Sequence, residues 1–585
     1  MTSIELTQPE DAHTRAEWEQ GAAGVLRKSG RIGEGDPDSL VWSKLTRTTL
    51  DGIAVTPLGV PGGPRAGVRP ARAGAWDIRS LIADPDAKRA NEAALVDLDG
   101  GVTSLWLAAD ESTDIAATLD KVLLDLAPVV LDAPTAPQAV AQAFLQYADE
   151  RGVDPHPATN LGVDPIGASL RGLVEPETQQ TGLIPGADDV VAVAQLAKKH
   201  GIRGVVADAT AAHDLGASDA QELGYGLYVA TQYLRVLTLA GLSVEEAAGL
   251  IEFRSAATDE QFPTIAKLRA ARQLWSRVLE LSGLAPKAGE LATALPRMIL
   301  HATTSRPMLS KYDPYVNMLR GTVAAFAAGV GGADAVTVLP FDSANGRPEG
   351  FGRRIARNVN HLLIDESHVA AVTDPAGGAY AVEQLTADLA AAGWARFQQL
   401  EREGLEAFKG RVEEVVAKRE QEIAKRRRPI TGLSEFPSLT ETLPERDADP
   451  RADGVRRYGA SFEELRDHPA ASAVFLATLG PVAQHTARAT FASNLFAAGG
   501  IAVDVAGATS SAAEVVAAYA GQKVVCLAGA DGAYAEWGQA AAEALRGAGA
   551  TYVIVAGKPV DWADDSCAMG VDALTFLHRV REVTK

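Results

Sequence analysis

Two groups of residues in this 585-residue chain have types and spacings that could do chemistry. The first is a histidine, His485, in the stretch "GPVAQHTARATF" (480–491). It follows an apolar run, Val474-Phe475-Leu476-Ala477, and precedes a helical pattern. A histidine in such a turn can ligate a metal or a cofactor, or simply cap the helix. The second is a set of aspartates, Asp110, Asp132, Asp164, Asp259, Asp342 and Asp374, that end or nearly end short apolar runs, with His301 inside a further run. Carboxylates at the carboxyl ends of barrel strands are placed for acid–base or metal chemistry. Aspartate also favours turns and helix N-caps for its own hydrogen-bonding reasons, so each also reads as a plain cap. No H-E-x-x-H, G-x-S-x-G, Walker or C-x-x-C sequence accompanies them. "AGVGGADAV" (328–336) follows a helix and precedes a strand, the reverse of a phosphate loop, so it reads as a helix C-cap. "AGADGAY" (528–534) has the right order but is too short for a fingerprint.

These residues need a scaffold, and the pattern supplies one. Eight β-branched or apolar runs alternate with helical segments: 104–110, 128–133, 158–165, 204–210, 251–259, 297–305, 335–342 and 369–375. The clearest helices are 114–126, 262–283, 351–367 and 381–401. Eight strand–helix units in about 300 residues predict a (β/α)8 TIM barrel, with an open doubly wound sheet as the alternative. From 471 shorter units resume, with strands at 474–477, 501–505, 524–529 and 551–557. They predict a flavodoxin-like doubly wound domain, with His485 just after its first strand in the ligand-binding crevice. The fold class is α/β. The predicted organisation is an N-terminal extended or interface segment (1–95), the barrel (96–404), a linker (405–470) and the small domain (471–585). The Pro/Gly-rich piece 56–74 reads as irregular. The basic "AKRRRP" (424–429) reads as the solvated end of a helix.

Composition narrows the partners. Apolar residues make up 47 % and charged residues 22 %, as in a globular protein with large cores. The net charge of −20 argues against nucleic acid, which needs a basic face. The N-terminal stretch lacks a secretory pattern, and no apolar run is long enough to span a membrane. Two cysteines, Cys526 and Cys567, cannot form a thiolate metal cluster or a disulfide framework. The expectation is a cytoplasmic protein.

Specific segments go further. "IAKLRAARQLW" (265–275), "GFGRRIARNVNHLLIDES" (350–367) and "TDPAGGAYAVEQLT" (373–386) resemble the methylmalonyl-CoA mutase family in order and spacing. "RRRPITG" and the last domain continue the resemblance, which covers roughly 100–585. It implies a barrel that holds an acyl-CoA, a cobalamin-binding-type last domain, and radical isomerisation of methylmalonyl-CoA and succinyl-CoA in propionate metabolism. The family's cobalt ligand is the histidine of an Asp-x-His-x-x-Gly loop. Here His485 is kept, but Ala483 replaces the aspartate that would orient the imidazole and Arg488 replaces the glycine. The family's Gly-Gly turn corresponds to Ala556-Gly557. A family histidine on the segment after the fourth strand falls at Ala211, with His213 two residues on. No tyrosine follows the first predicted strand, in "AADESTD".

Losses at both sites within a kept scaffold point to the small (beta) subunit of the heterodimeric bacterial form. On that reading the chain alone has no catalytic and no confident cofactor-binding residue. Adenosylcobalamin belongs to a large catalytic subunit, with which this chain forms a heterodimer through the N-terminal segment and the linker. The alternatives are an active mutase that binds cobalamin through His485, an acyl-CoA-binding regulatory barrel, and a metal-dependent lyase using the strand-end aspartates and His301.

Overall fold

The computed structural model describes residues 12–63, 72, 74–174, 184–284 and 296–584. Eight parallel strands close into a barrel. They are β1 (Asp77–Ile82), β2 (Ser104–Ala108), β3 (Val129–Asp132), β4 (Asn160–Val163), β5 (Arg203–Asp208), β6 (Ile251–Ala257), β7 (Ile299–Thr304) and β8 (Ala335–Thr337). Closure is made by β8, which pairs with β7 on one side and with β1 on the other. The predicted barrel is therefore present, and the open sheet is not.

The strand count is right but shifted by one. The run 369–375 is not a strand; Val369–Ala371 is a single 3-10 turn, and Val372 is exposed. The missing strand is β1, inside the segment expected to be extended. Its sequence, Asp77-Ile78-Arg79-Ser80-Leu81-Ile82, puts charged and polar residues between the apolar ones, which hides it from a search for apolar runs. Every later barrel strand thus stands one place further on than predicted. The rest of the N-terminal region is partly regular as well, with helices Arg15–Lys28 and Leu40–Leu45. Residues 64–71 and 73 of the Pro/Gly-rich piece 56–74 lie outside the described residues. The helix expected at 114–126 is short, Ile115–Thr118.

Period-two alternation sorts each strand into an outer and an inner set. Leu105 and Leu107, Val129 and Leu131, Val205 and Ala207, and Leu300 and Ala302 belong to the apolar layer under the surrounding helices. The residues between them face the barrel axis: Arg79, Trp106, Asp132, Asp208, Glu252, Arg254 and His301. The outer layer is an ordinary core, whereas the inner one is largely charged.

Helix α1 (Ala87–Asp99) follows β1 and helix α2 (Gly350–His361) follows β8. Helix α3 (Tyr380–Ala424) runs through a break at Gly404, so the first twenty residues expected in the linker are helical. The basic run ends this helix, with Arg426 on Glu435 and Arg428 on Glu422 and Glu260. The chain then crosses the carboxyl ends of the barrel strands before entering a five-stranded parallel sheet.

That sheet has the order β10-β9-β11-β12-β13, with β9 (Val474–Leu479), β10 (Val503–Val505), β11 (Val524–Gly529), β12 (Tyr552–Ala556) and β13 (Asp565–Cys567). This is the flavodoxin-type order, with the change of direction beside β9. Helix α4 (Val482–Ala498) leaves β9 at that point. No helix among the described residues is long and apolar enough to cross a membrane.

Candidate functional site

The sequence points to two places for a ligand: the carboxyl mouth of the barrel and the crevice above β9. Both are filled by the chain's own side chains.

Inside the barrel the lowest layer is Arg79. Its guanidinium reaches Glu252 Oε1 at 2.5 Å, Asp77 at 3.1 Å and Ser104 Oγ at 3.0 Å. Burial would raise the Glu252 carboxyl, but Arg79 holds it below its ordinary value. In the next layer His301 Nε2 lies 2.8 Å from Thr337 Oγ1, and its Nδ1 accepts from Arg254 Nε at 3.3 Å. Burial, with Arg79 and Arg254 nearby, pushes the His301 imidazole well below its usual value. The Trp106 ring packs edge-on to His301 at 5.4 Å and is 1 % exposed.

The top layer is a ring of guanidiniums and carboxylates around Trp106. Arg254 lies 4.0 Å from the Trp106 ring centre, Arg451 5.0 Å and Arg306 5.8 Å. Asp132 Oδ2 accepts from Trp106 Nε1 at 3.1 Å and from Arg451 at 2.9 Å. Asp208 accepts from Arg171 at 3.0 Å and Arg254 at 2.9 Å. Burial would raise Asp208, yet these two arginines hold it well below the usual carboxylate range. Asp164 is pushed the other way, to about 7, by burial and then by the Asp208 charge. Its Oδ1 accepts the Tyr233 hydroxyl and the Gly167 N–H, while Oδ2 is buried without a partner.

Arg451 comes from the segment that crosses the mouth. That segment is tied down along its length. Arg446 bonds Asp342 at 2.5 Å, the Arg456 N–H bonds Asp214 O at 2.9 Å, and the Tyr458 N–H bonds Pro307 O at 2.8 Å. It therefore spans the ends of several barrel strands, as a wrapping linker would.

The structure divides the strand-end aspartates. Asp132 joins the mouth, together with Asp208, Arg171, Arg254 and Arg306, which the sequence reading missed. Asp208 ends the run 204–210 in the same way as the others, but no local pattern distinguishes Arg254, whose role appears only when strand β6 alternates inward. Asp110 caps its own turn, accepting from Ser112 and Thr113. Asp164 caps helix Pro165–Leu170. Asp259 lies 3.9 Å from Arg320, and Asp342 is taken by Arg446. Asp374 ends no strand, because 369–375 is a loop; it accepts from Arg269 at 3.0 Å. Among the described residues no three histidine, cysteine, aspartate or glutamate side chains are grouped to hold a metal ion.

The segment "ADATAAHDLGAS" follows β5, not the fourth strand. Ala211 is buried there. His213 Nδ1 is 3.1 Å from Glu222 and its Nε2 is 2.7 Å from Ser305 Oγ. This has the outline of a Ser–His–Glu relay. However, Glu222 is also held by Lys267, Ser255 and the Ala256 N–H, and all three relay residues are buried. The cluster pins β6, β7 and the helix Asp219–Leu239 together and presents no exposed nucleophile.

In the small sheet the expected early helix is observed. Gly480 takes a left-handed φ of 89°, Pro481 is extended, and α4 begins at Val482. His485 thus lies in the first turn, 7 % exposed, with both ring nitrogens buried and without a partner among the described residues. Ala483 offers its imidazole no acceptor. Arg488 extends over the crevice: it donates to Gly529 O at 2.6 Å and to Asp531 at 2.5 Å, and it lies 5.1 Å from the Tyr534 ring centre. A Cβ on Gly557 would sit 3.7 Å from the Arg488 guanidinium, so Ala556-Gly557 borders the same side chain. The loops beyond β9 and β10 are also stitched together, through Thr478 on Gly507 and Thr509 on Thr478. These residues do not fit a corrin, since the ligand histidine is packed and the tail's path holds Arg488.

Comparison with known proteins gives the same family at both levels. Residues 80–521 match the sequence profile described as Methylmalonyl-CoA mutase. The chain is 43 % identical to the methylmalonyl-CoA mutase small subunit of Streptomyces virginiae, over 96 % of each chain. It is 39 % identical to a probable methylmalonyl-CoA mutase small subunit of Mycobacterium tuberculosis (strain ATCC 25618 / H37Rv), over 95 % of this chain and 94 % of that one. With the methylmalonyl-CoA mutase small subunit of Propionibacterium freudenreichii subsp. shermanii the identity is 36 %, over 100 % of this chain and 96 % of that one. The chain belongs to the methylmalonyl-CoA mutase family, a family of cobalamin-associated isomerases.

Proposed function

From that membership we propose that the chain is the non-catalytic small subunit of an adenosylcobalamin-dependent methylmalonyl-CoA mutase, acting in the cytoplasm as a heterodimer with a large catalytic subunit. The relatives' shared name, small subunit, supports the partnership. The observation that carries the reading is the barrel axis, closed from Arg79 through Trp106 to Arg451. An acyl-CoA laid along this axis would have to displace Trp106 and several paired charges. Leaving one partner of a buried ion pair uncompensated costs about 3–5 kcal/mol, which opposes entry along the axis.

On this reading adenosylcobalamin supplies radical chemistry on the large subunit only. This chain's residues bind neither cofactor nor substrate; they hold a rigid barrel for the partner to dock against. Its proposed domains are an interface segment through residue 95, the barrel, the linker to 470 and the degenerate small domain.

The test is a cobalamin and acyl-CoA titration of the purified chain, read by corrin absorbance and by co-elution on gel filtration, then repeated after mixing with the large subunit. The expected result is neither ligand on the chain alone and both on the complex. A corrin shift on the chain alone that disappears in His485→Ala would make it a cobalamin enzyme. Acyl-CoA bound without cobalamin would make it a regulatory barrel.

A further inference from the structure

Beside the closed axis lies a separate cavity of about 140 Å³. It sits between the carboxyl ends of β1 and β8, helices α1 and α2, and the mouth-crossing segment. Its walls are apolar, built by Ile82, Ala90, Leu309, Val338 and Ala356. Six arginines line the rest of it: Arg79, Arg306, Arg347, Arg353, Arg357 and Arg457. Arg79 is held by Glu252, and Arg347 lies 3.7 Å from Asp447.

The charges around it do not balance locally. Arg353 and Arg357 share one carboxylate, Asp97. Arg457 is matched by Glu463 at 2.7 Å. Among the described residues Arg306 has one carboxylate partner, Asp214, at 3.5 Å, and its Nη2 is buried with no hydrogen-bond partner. Two acids also line the cavity, but both are engaged: Asp84 with Arg89 at 2.9 Å, and Asp449 Oδ1 with the Arg451 N–H at 3.0 Å. A buried guanidinium with a free donor is costly, and burial lowers the Arg306 pKa accordingly. An anion there would offset that cost.

Size and lining define the anion. An apolar cavity of about 150 Å³ holds a benzene-sized molecule of about six heavy atoms. A phosphate would leave the apolar wall bare, and a long acyl chain would not fit. We propose that this cavity is a binding site for a short-chain monocarboxylate of about three to five carbons, with its carboxylate on Arg306 and its alkyl part against Ile82, Val338 and Ala356. The site borders the axis, sharing Arg306 with the ring around Trp106 and Arg79 with the layer below it, while its apolar end lies between β1, β8, α1 and α2.

The experiment is isothermal titration calorimetry of the full chain with sodium acetate, butyrate and octanoate, at constant ionic strength against sodium chloride. Saturable one-site binding of butyrate is expected, at least tenfold tighter than acetate or octanoate. Arg306→Gln is expected to weaken butyrate tenfold or more, and Arg306→Lys to keep most of the affinity. Ala356→Phe, which fills the apolar end, is expected to abolish binding while leaving Arg306 in place. Thermal melts of each variant report folding. Heats that do not saturate, that chloride reproduces, or that do not depend on chain length overturn the site. So does butyrate affinity unchanged in both Arg306→Gln and Ala356→Phe.

Discussion

The barrel mouth and the crevice above β9 are both closed, but by different means. At the mouth, side chains from four strands, the end of the helix after β4 and the linker answer one another: Arg171, Arg254 and Arg451 against Asp132 and Asp208, with Trp106 beneath. Arg254 and Asp208 are buried, Arg171, Arg451 and Asp132 are partly so, and each depends on its neighbours. In the crevice a single long side chain, Arg488, lies across the opening with one exposed carboxylate as its partner. The closure there is backed by backbone, because α4 starts at Val482 and draws His485 inward. A ligand path can thus be lost through a coupled network that resists reversal, or through one side chain and a shifted helix start. The two should respond very differently to mutation.

The largest effect is expected at Arg254. It is 2.9 Å from Asp208, accompanies His301 and lies on Trp106. Arg254→Ala leaves Asp208 buried with half of its cationic support. Losing one partner of a buried pair costs about 3–5 kcal/mol, and chemical denaturation of the variant should read that loss. A cost below about 1 kcal/mol would mean that the mouth is wetter and less coupled than its geometry implies.

Asp164 tests the same network by pH. Its folded value is near 7, above the ordinary carboxylate value of about 4. A raised acid favours the folded state fully only below the unfolded value. That contribution is lost as pH rises through the folded value, when a buried charge must form. Asp164→Asn stays neutral and still caps its helix. Its stability relative to the parent should therefore rise between pH 5 and pH 8, by about 1–3 kcal/mol. A difference that is flat with pH would show that Asp164 ionises without penalty.

Arg451→Ala is expected to cost less, about 1–2 kcal/mol, since both Arg451 and Asp132 are partly exposed. Acyl-CoA should still not bind, because Trp106 and Arg254 remain below. Binding gained by this one change would reduce the plug to a single linker residue.

How much of this was legible in the sequence follows from where each signal resides. The outer faces of the strands are apolar, so seven of the eight barrel strands stood out. β1 did not, because Arg79 and Asp77 interrupt it. Arg79 is tolerated because Glu252, 173 positions away, meets it inside the barrel, and Asp77 is held in turn by Arg79 and Ser104. A long-range pairing of this kind leaves no local trace. The reverse error, at 369–375, has the same origin: Val372 is apolar but exposed, and nothing local says so. The crevice was more legible than the mouth. Its changes, at Ala483 and Arg488, lie within three residues of His485 in the sequence, and Pro481 marks the helix start. The mouth needed residues from Trp106 to Arg451, brought together only by the closed barrel.

The smallest effect belongs to the crevice. Arg488→Gly removes a bond to Gly529, an exposed ion pair and a ring contact. Solvent screens most of this, so the loss should stay below about 1 kcal/mol beyond the cost of glycine in a helix. Adding Ala483→Asp supplies the missing carboxylate, yet it does not restore a ligand loop. Ala483 is the second residue of α4, where an aspartate favours the helix N-terminus by about 0.3–1 kcal/mol. The double variant should therefore keep the early helix, keep His485 packed and leave the corrin spectrum unchanged on titration. A spectral shift that vanishes when His485→Ala is added would show that two side chains alone closed the crevice. The helix start would then depend on those two side chains, and the crevice would differ from the mouth in being reversible by two substitutions.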